Sequence, residues 1–117
     1  MTALPERPIR IEPNPKRVSA HFHGQQIASS TRALALYEGS YPPVQYIPRE
    51  DVDMSLLTRT AHTTHCPYKG DAAYYSIHVG AREQPNAVWT YEDPYPQLSA
   101  IKGYLAFYAD RVELKAE

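Results

Sequence analysis

The segment AAYYSIHV, residues 72–79, indicates the fold class most directly. Successive side chains of an extended strand point to opposite faces of a sheet, so Tyr74 and Tyr75 would place one aromatic ring on each face. Strands with large apolar side chains on both faces are typical of the interior of a sheet. We therefore predict that residues 72–79 form a central strand with a neighbour on each side.

Shorter segments of alternating apolar and polar residues lie before and after this strand, with turn-forming residues between them. They predict strands at residues 18–22, 27–28, 34–36, 44–47 and 87–91, a terminal hairpin from residues 104–108 and 111–114, and short helices at residues 51–57, capped by Asp51, and 94–101. The 11 prolines suit short strands joined by tight turns. The predicted fold class is mostly β, either a single-domain antiparallel barrel or a folded two-sheet, tent-like architecture with one or two short helices.

Four prolines lie within the first sixteen residues, at positions 5, 8, 13 and 15. Because proline removes a backbone donor and fixes φ, we predict that residues 1–16 form an extended N-terminal arm. The remaining residues, 17–117, have an ordinary length for one domain. We predict a single β domain over that range.

Charge and composition argue against several classes of partner. With 12 basic and 13 acidic side chains the formal charge is −1, so no summed field attracts nucleic acid or anionic lipid. The first residues lack the basic start and apolar core of a signal peptide, and a single cysteine excludes an internal disulfide. We predict a cytoplasmic protein without nucleic-acid or membrane partners, and the oligomeric state stays open.

The stretch HTTHCPYKGDAAYY, residues 62–75, contains the only cysteine, two histidines, a lysine and three tyrosines. Lys69 lies three residues after Cys66, so its ammonium group would favour the thiolate. Desolvation can make a lysine nucleophilic, and Glu38 would serve as its counter-ion or as a base. We predict Cys66, Lys69 and Glu38 as candidate catalytic residues, with no cofactor. The opposing interpretation is an inert buried thiol beside a neutralising ion pair.

The ligand-binding candidates are one guanidinium group and several aromatic rings. Arg49 offers a planar fork for a carboxylate or phosphate. The rings would form walls with polar handles, and they belong to Tyr46, Tyr74, Trp89 and Tyr91. We predict a polar, tyrosine-lined pocket that binds a small anionic or carbonyl-bearing ligand. Whether this pocket also catalyses a reaction stays open.

The tyrosine content allows a different class of function. Exposed aromatic side chains can bind a peptide or another subunit. An exposed patch of Tyr41, Tyr68 and Tyr95 with no concave site nearby would favour a non-catalytic interaction module or a homo-oligomer over an enzyme.

Metal binding is a further alternative, because His62, His65, Cys66 and His78 have suitable ligand atoms. The spacing argues against it. Adjacent His65 and Cys66 on an extended segment would point to opposite sides, and no Cys-x-x-Cys pair supplies further ligands. We predict no metal site.

Five ordered blocks of sequence resemble the bacterial and fungal domain of unknown function catalogued as DUF427. They are YE at 37–38, YIPR at 46–49 with DV at 51–52, CPYKG at 66–70 with AY at 73–74, WTY at 89–91 with Pro94, and IKGYLAFY at 101–108. The resemblance runs from about residue 18 to residue 114. It implies a small, mostly β cytosolic protein with an unassigned activity, to which some catalogues attach a nucleotidyltransferase label.

That label has a possible basis in Gly39 and Ser40, which precede Asp51 and Asp53 as a phosphate-binding turn precedes two metal-binding carboxylates. The mechanism needs a helix between the two parts and a strand that carries both carboxylates. Prolines interrupt that interval, and Asp51 is predicted to cap a helix instead. Metal-dependent nucleotidyl transfer is therefore the least favoured of the alternatives.

Overall fold

The structure is a computed structural model that describes residues 8–117. In these residues the strands are β1 (Ile9–Asn14), β2 (Val18–Phe22), β3 (Gln25–Ser30), β4 (Ala33–Glu38), β5 (Val44–Tyr46), β6 (Leu57–Cys66), β7 (Gly70–Val79), β8 (Arg82–Tyr91), β9 (Leu105–Phe107) and β10 (Glu113–Ala116). The helices are short 3-10 turns at Arg49–Asp51, Met54–Leu56 and Pro96–Ile101. The predicted mostly β class is confirmed.

The strands form three antiparallel sheets with the orders β1-β4-β5, β10-β2-β3 and β6-β7-β8-β9. A single bridge between Ile47 and Leu105 joins the first sheet to the edge of the third. None of the three sheets closes on itself within residues 8–117. The folded-sheet alternative is therefore confirmed, and the barrel alternative is wrong because each sheet keeps its own edges.

Strand β7 lies between β6 and β8, as its two apolar faces predict. Its odd-numbered residues Tyr75 and Ile77 belong to one hydrophobic core, together with residues of β2, β3 and β9. Tyr74 belongs to a second core with residues of β4, β5 and β8. The two-residue period of the strand thus separates the molecule into two cores, and the candidate site lies beside the second.

The hairpin predicted from residues 18–22 and 27–28 is confirmed as β2 and β3. Its turn residues His23 and Gly24 have φ of 48° and 80°, the left-handed pair that a tight hairpin requires. The predicted terminal hairpin is wrong, because β9 pairs with β8 whereas β10 pairs with β2. Strand β9 thus pairs with the strand that precedes it across the Pro96–Ile101 turn, and β10 pairs with a strand near the other end of the chain, so the two do not pair with each other.

Two other predicted segments, the helix at residues 51–57 and the N-terminal arm, differ from the structure. Residues 51–57 contain one 3-10 turn, Met54–Leu56, and the predicted cap Asp51 is wrong because Asp51 ends the preceding turn. The cap is Asp53, whose carboxylate accepts a hydrogen bond from Ser55 N at 3.1 Å. The arm predicted over residues 1–16 overlaps β1, which pairs with β4, while residues 1–7 lie outside the described part. The described residues include no helix with the length and hydropathy needed to cross a membrane.

Candidate functional site

The turn between β6 and β7 positions the lysine of the candidate site. Lys69 N donates to Cys66 O at 3.2 Å, and Tyr95 N donates to Lys69 O at 3.0 Å. Gly70 has a φ of +116°, and a Cβ at this position would lie 3.4 Å from Asp93 O. Only glycine adopts this backbone readily, and its missing side chain lets the turn pass close to the segment after β8. The two backbone hydrogen bonds hold Lys69 between Cys66 and Tyr95.

Lys69 points to the interior and meets Glu38 at the end of β4. Lys69 Nζ lies 2.5 Å from Glu38 Oε1, with 11% and 13% of the two side chains exposed. Cys66 Sγ lies 3.6 Å from the same nitrogen. The structure thus brings the three candidate catalytic side chains together, around one buried ammonium group. Such a pair is stable only while both partners are present.

A cavity of about 370 Å³ adjoins this ion pair. Among the described residues its lining consists of Leu36, Glu38, Tyr41, Pro42, Val44, Tyr46, Lys69, Tyr74, Trp89, Tyr91 and Tyr108. The volume falls in the range of small-molecule sites. All four predicted aromatic residues line the cavity, together with Lys69 and Glu38, and the walls are mainly aromatic.

Hydrogen bonds fix several of these rings. Trp89 Nε1 donates to the Tyr46 hydroxyl at 3.3 Å. The Tyr74 hydroxyl lies 3.3 Å from that of Tyr108 and 2.9 Å from Thr64 Oγ1. The Trp89 and Tyr108 rings also pack with their centroids 4.6 Å apart. Hydrogen bonds and ring packing therefore hold Tyr46, Tyr74, Trp89 and Tyr108 in fixed orientations in the wall of the cavity.

The hydroxyls of Tyr46, Tyr91 and Tyr108 stay protonated well into the alkaline range. Burial raises the pKa of Tyr46 and of Tyr91 far above the usual value. Burial, followed by the hydrogen bond with Tyr74, raises the pKa of Tyr108 to about 12. These hydroxyls can therefore donate hydrogen bonds at neutral pH without carrying charge.

We expect the free energy of unfolding to fall as the pH rises above 10 and through about 12. The folded state holds the Tyr108 proton with a pKa of about 12 against an ordinary 10.0, so the unfolded chain releases this proton first and base favours unfolding. Urea denaturation at a series of alkaline pH values, with tyrosinate absorbance, checks this. Tyr108→Phe should flatten the decline, and equal slopes for variant and wild type would contradict the assignment.

The family model for a domain of unknown function, DUF427, matches residues 10–117. The chain belongs to the DUF427 family. This agrees with the resemblance carried by the five sequence blocks. A comparison with curated proteins gives no match. The family match gives the range of the DUF427 domain, residues 10–117, but no activity. Any chemistry has to be inferred from the side chains of the site.

The structure does not bring Arg49 to the cavity of the DUF427 domain. Its Nη1 donates to the Tyr75 hydroxyl at 3.3 Å, and the guanidinium carbon lies 5.7 Å from the centre of that ring. Tyr75 belongs to the first core, on the face of β7 opposite Tyr74. The turn after β5 directs Arg49 across the sheet, so the cavity has no guanidinium group among its described lining residues.

The histidines considered as metal ligands have separate partners. The His62 ring packs on Tyr74 at 4.5 Å, and His65 Nδ1 lies 2.7 Å from Asp71 Oδ1. His78 lies beside Glu83 at 3.4 Å. No group of three or more metal-ligating side chains comes together within residues 8–117.

The acidic residues considered for nucleotidyl transfer also serve other contacts. Hydrogen bonds from Arg32 and Ser30 lower the pKa of Asp51. Asp53 caps the 3-10 turn that follows. Neither carboxylate lies on a named strand, whereas nucleotidyl transfer needs one strand that carries both carboxylates. The geometry gives this reaction no support.

The three tyrosines considered for an interaction patch differ in exposure. Tyr41 is 64% exposed and lines the cavity, whereas Tyr68 and Tyr95 are half-buried. Tyr41 thus lies at a concave site, which is the circumstance that favours a ligand pocket over a flat interaction surface.

Sequence reasoning missed part of the cavity lining, notably Tyr108. The alternation of Tyr104, Ala106 and Tyr108 carried a usable signal, since Ala106 pairs with Trp89 across β8 and β9. Residues two apart in a strand share a face of the sheet, so Tyr108 is expected on the same face as Ala106 and Trp89. Val44, which pairs with Leu36, shares a face with Tyr46 by the same rule.

Proposed function

We propose that the cavity of this DUF427 domain binds a small molecule with a flat apolar body and a carbonyl oxygen. The observation that carries the proposal is a buried Lys69–Glu38 pair at the wall of an aromatic cavity. A flat ligand would pack against the rings, and the Lys69 ammonium would donate a hydrogen bond to its carbonyl oxygen.

A carbonyl group suits the site better than an anion does. Lys69 already pairs with a carboxylate, and Arg49 faces the other core. An anionic ligand would meet the charge of Glu38, which adds repulsion to the cost of losing its own hydration. A neutral carbonyl avoids both costs and still accepts a charge-assisted hydrogen bond.

Trp89 provides a direct test, because it is the only tryptophan of the chain and lines the cavity. Its indole N–H gives one signal in a ¹H–¹⁵N spectrum. Three compounds with the same phenyl ring serve as probes. Acetophenone carries a ketone, benzoate carries an anionic carboxylate, and ethylbenzene carries no oxygen. We expect a saturable shift with acetophenone and binding weaker by roughly tenfold or more for ethylbenzene, which lacks the hydrogen bond.

Matched variants separate cavity binding from general adhesion to apolar surfaces. Val44→Phe should fill part of the cavity and abolish the indole shift. Val79→Phe changes the same residue type at a half-buried position beside the first core and should leave the shift unchanged. Equal responses of the two variants, or benzoate binding more tightly than acetophenone, would overturn the proposal.

A further inference from the structure

The ion pair in the cavity has a geometry suited to covalent chemistry at the lysine nitrogen. A lysine attacks a carbonyl carbon as the free amine, so a base must remove a proton from its ammonium group. Glu38 Oε1 lies 2.5 Å from Lys69 Nζ, within reach for direct proton transfer. Resting on the proposed function, we infer that Lys69 forms an imine with an aldehyde or ketone ligand and that Glu38 accepts the lysine proton.

The steps balance without a redox partner. Glu38 takes a proton from Lys69, and the freed nitrogen pair forms a bond to the carbonyl carbon while the carbonyl π pair moves to oxygen. That oxygen receives the proton from Glu38, which gives a carbinolamine protonated on nitrogen and restores the Glu38 carboxylate. Nitrogen then loses a second proton, the hydroxyl group takes it and leaves as water, and the carbon–nitrogen double bond forms with one proton left on nitrogen. The net change is one lysine ammonium and one carbonyl to one protonated imine and one water.

The surroundings of Lys69 favour this reaction over simple ion pairing. Backbone hydrogen bonds on both sides of the residue, to Cys66 and from Tyr95, hold the turn in place. The aromatic lining would keep a flat carbonyl compound beside Nζ, which replaces a bimolecular encounter with a positioned one. The protonated hydroxyls of Tyr46 and Tyr91 lie in the same lining and can donate to an oxygen that gains charge.

The other lysines of the chain supply internal controls. Lys16, Lys102 and Lys115 are exposed, and none of them lines the cavity. Lys115 pairs with Glu113 at 3.2 Å, but half or more of each side chain is exposed. An aldehyde meets these three lysines only by collision from solvent, without a cavity that holds it.

Reductive trapping tests the inference. The full chain is incubated with benzaldehyde and cyanoborohydride at neutral pH, and adducts are counted by intact mass and located by peptide mapping. We expect one benzyl group, on Lys69. Lys69→Arg keeps a cation beside Glu38 and should abolish the adduct, whereas Lys102→Arg should leave it unchanged. Glu38→Gln removes the proton acceptor and should slow trapping by roughly 10²-fold.

Two outcomes would overturn the inference and are distinguishable from failure of the binding proposal. Benzyl groups spread evenly over all four lysines would show no special reactivity at Lys69. An acetophenone-induced shift of the Trp89 indole without trapping at Lys69 would retain binding and reject the imine. An absent indole shift would instead reject the proposed function itself.

Discussion

Phe107→Ala is expected to lower the free energy of unfolding by about 3–5 kcal/mol. Phe107 is 4% exposed and projects from β9 into the first core, where it stands in register with Val88. Truncation removes most of the ring from a packed interior and leaves a cavity that neighbouring strands fill only in part. The transfer and cavity costs therefore add.

Urea denaturation followed by circular dichroism measures this loss. Tyr41→Ala is the matched control, because it truncates an aromatic side chain that is 64% exposed, and we expect its cost to stay below about 1 kcal/mol. A Phe107→Ala cost as small as that of the control would mean that β9 does not contribute to the first core as described.

Lys69→Met is expected to cost about 3 kcal/mol of unfolding free energy, because it leaves the Glu38 carboxylate buried without its ammonium partner. The two side chains are 11% and 13% exposed. Each therefore gives up much of its hydration in the folded state and depends on the other. The side chain of methionine matches the lysine stem in length, so lost packing makes a small contribution.

A double-mutant cycle distinguishes this charge effect from a general loss of packing. Glu38→Gln combined with Lys69→Met removes both charges, and we expect this variant to lie within about 1 kcal/mol of wild type. The quantity that decides is the coupling energy from urea denaturation of the four proteins. If the double variant is as unstable as the sum of the two single variants, the pair is not coupled and the site lacks the proposed electrostatic character.

The candidate site was predictable from sequence to different degrees for different residues. Cys66 and Lys69 lie three residues apart in one turn, so their proximity follows from local geometry. Tyr46, Tyr74 and Trp89 are aromatic residues of predicted strands, and alternation indicates which face each one occupies. Glu38 is 31 residues from Lys69, and its predicted role as counter-ion depended on charge complementarity, not on spacing.

Arg49 illustrates where such reasoning fails. Its charge made it a plausible partner for a ligand in the same pocket, but its direction depends on how the chain turns after β5. That turn sends the guanidinium group to Tyr75, on the other side of β7. No local pattern reports which of two cores a side chain next to a turn will reach.

The amino-acid pattern was sufficient for most of the strands, the two apolar faces of β7, the β2–β3 hairpin and the turn that carries Cys66 and Lys69, but it did not predict β6 and placed β1 in an extended arm. These features arise from contacts between residues close in sequence, and a two-residue period or a glycine is enough to reveal them. Strand pairing across long intervals required the folded chain: β10 on β2, β9 on β8, and three open sheets in place of a barrel. Those choices depend on the free energy of side chains that meet only after collapse. The contact of Glu38 with Lys69 could therefore be predicted only from their opposite charges, and the exclusion of Arg49 became visible only in three dimensions.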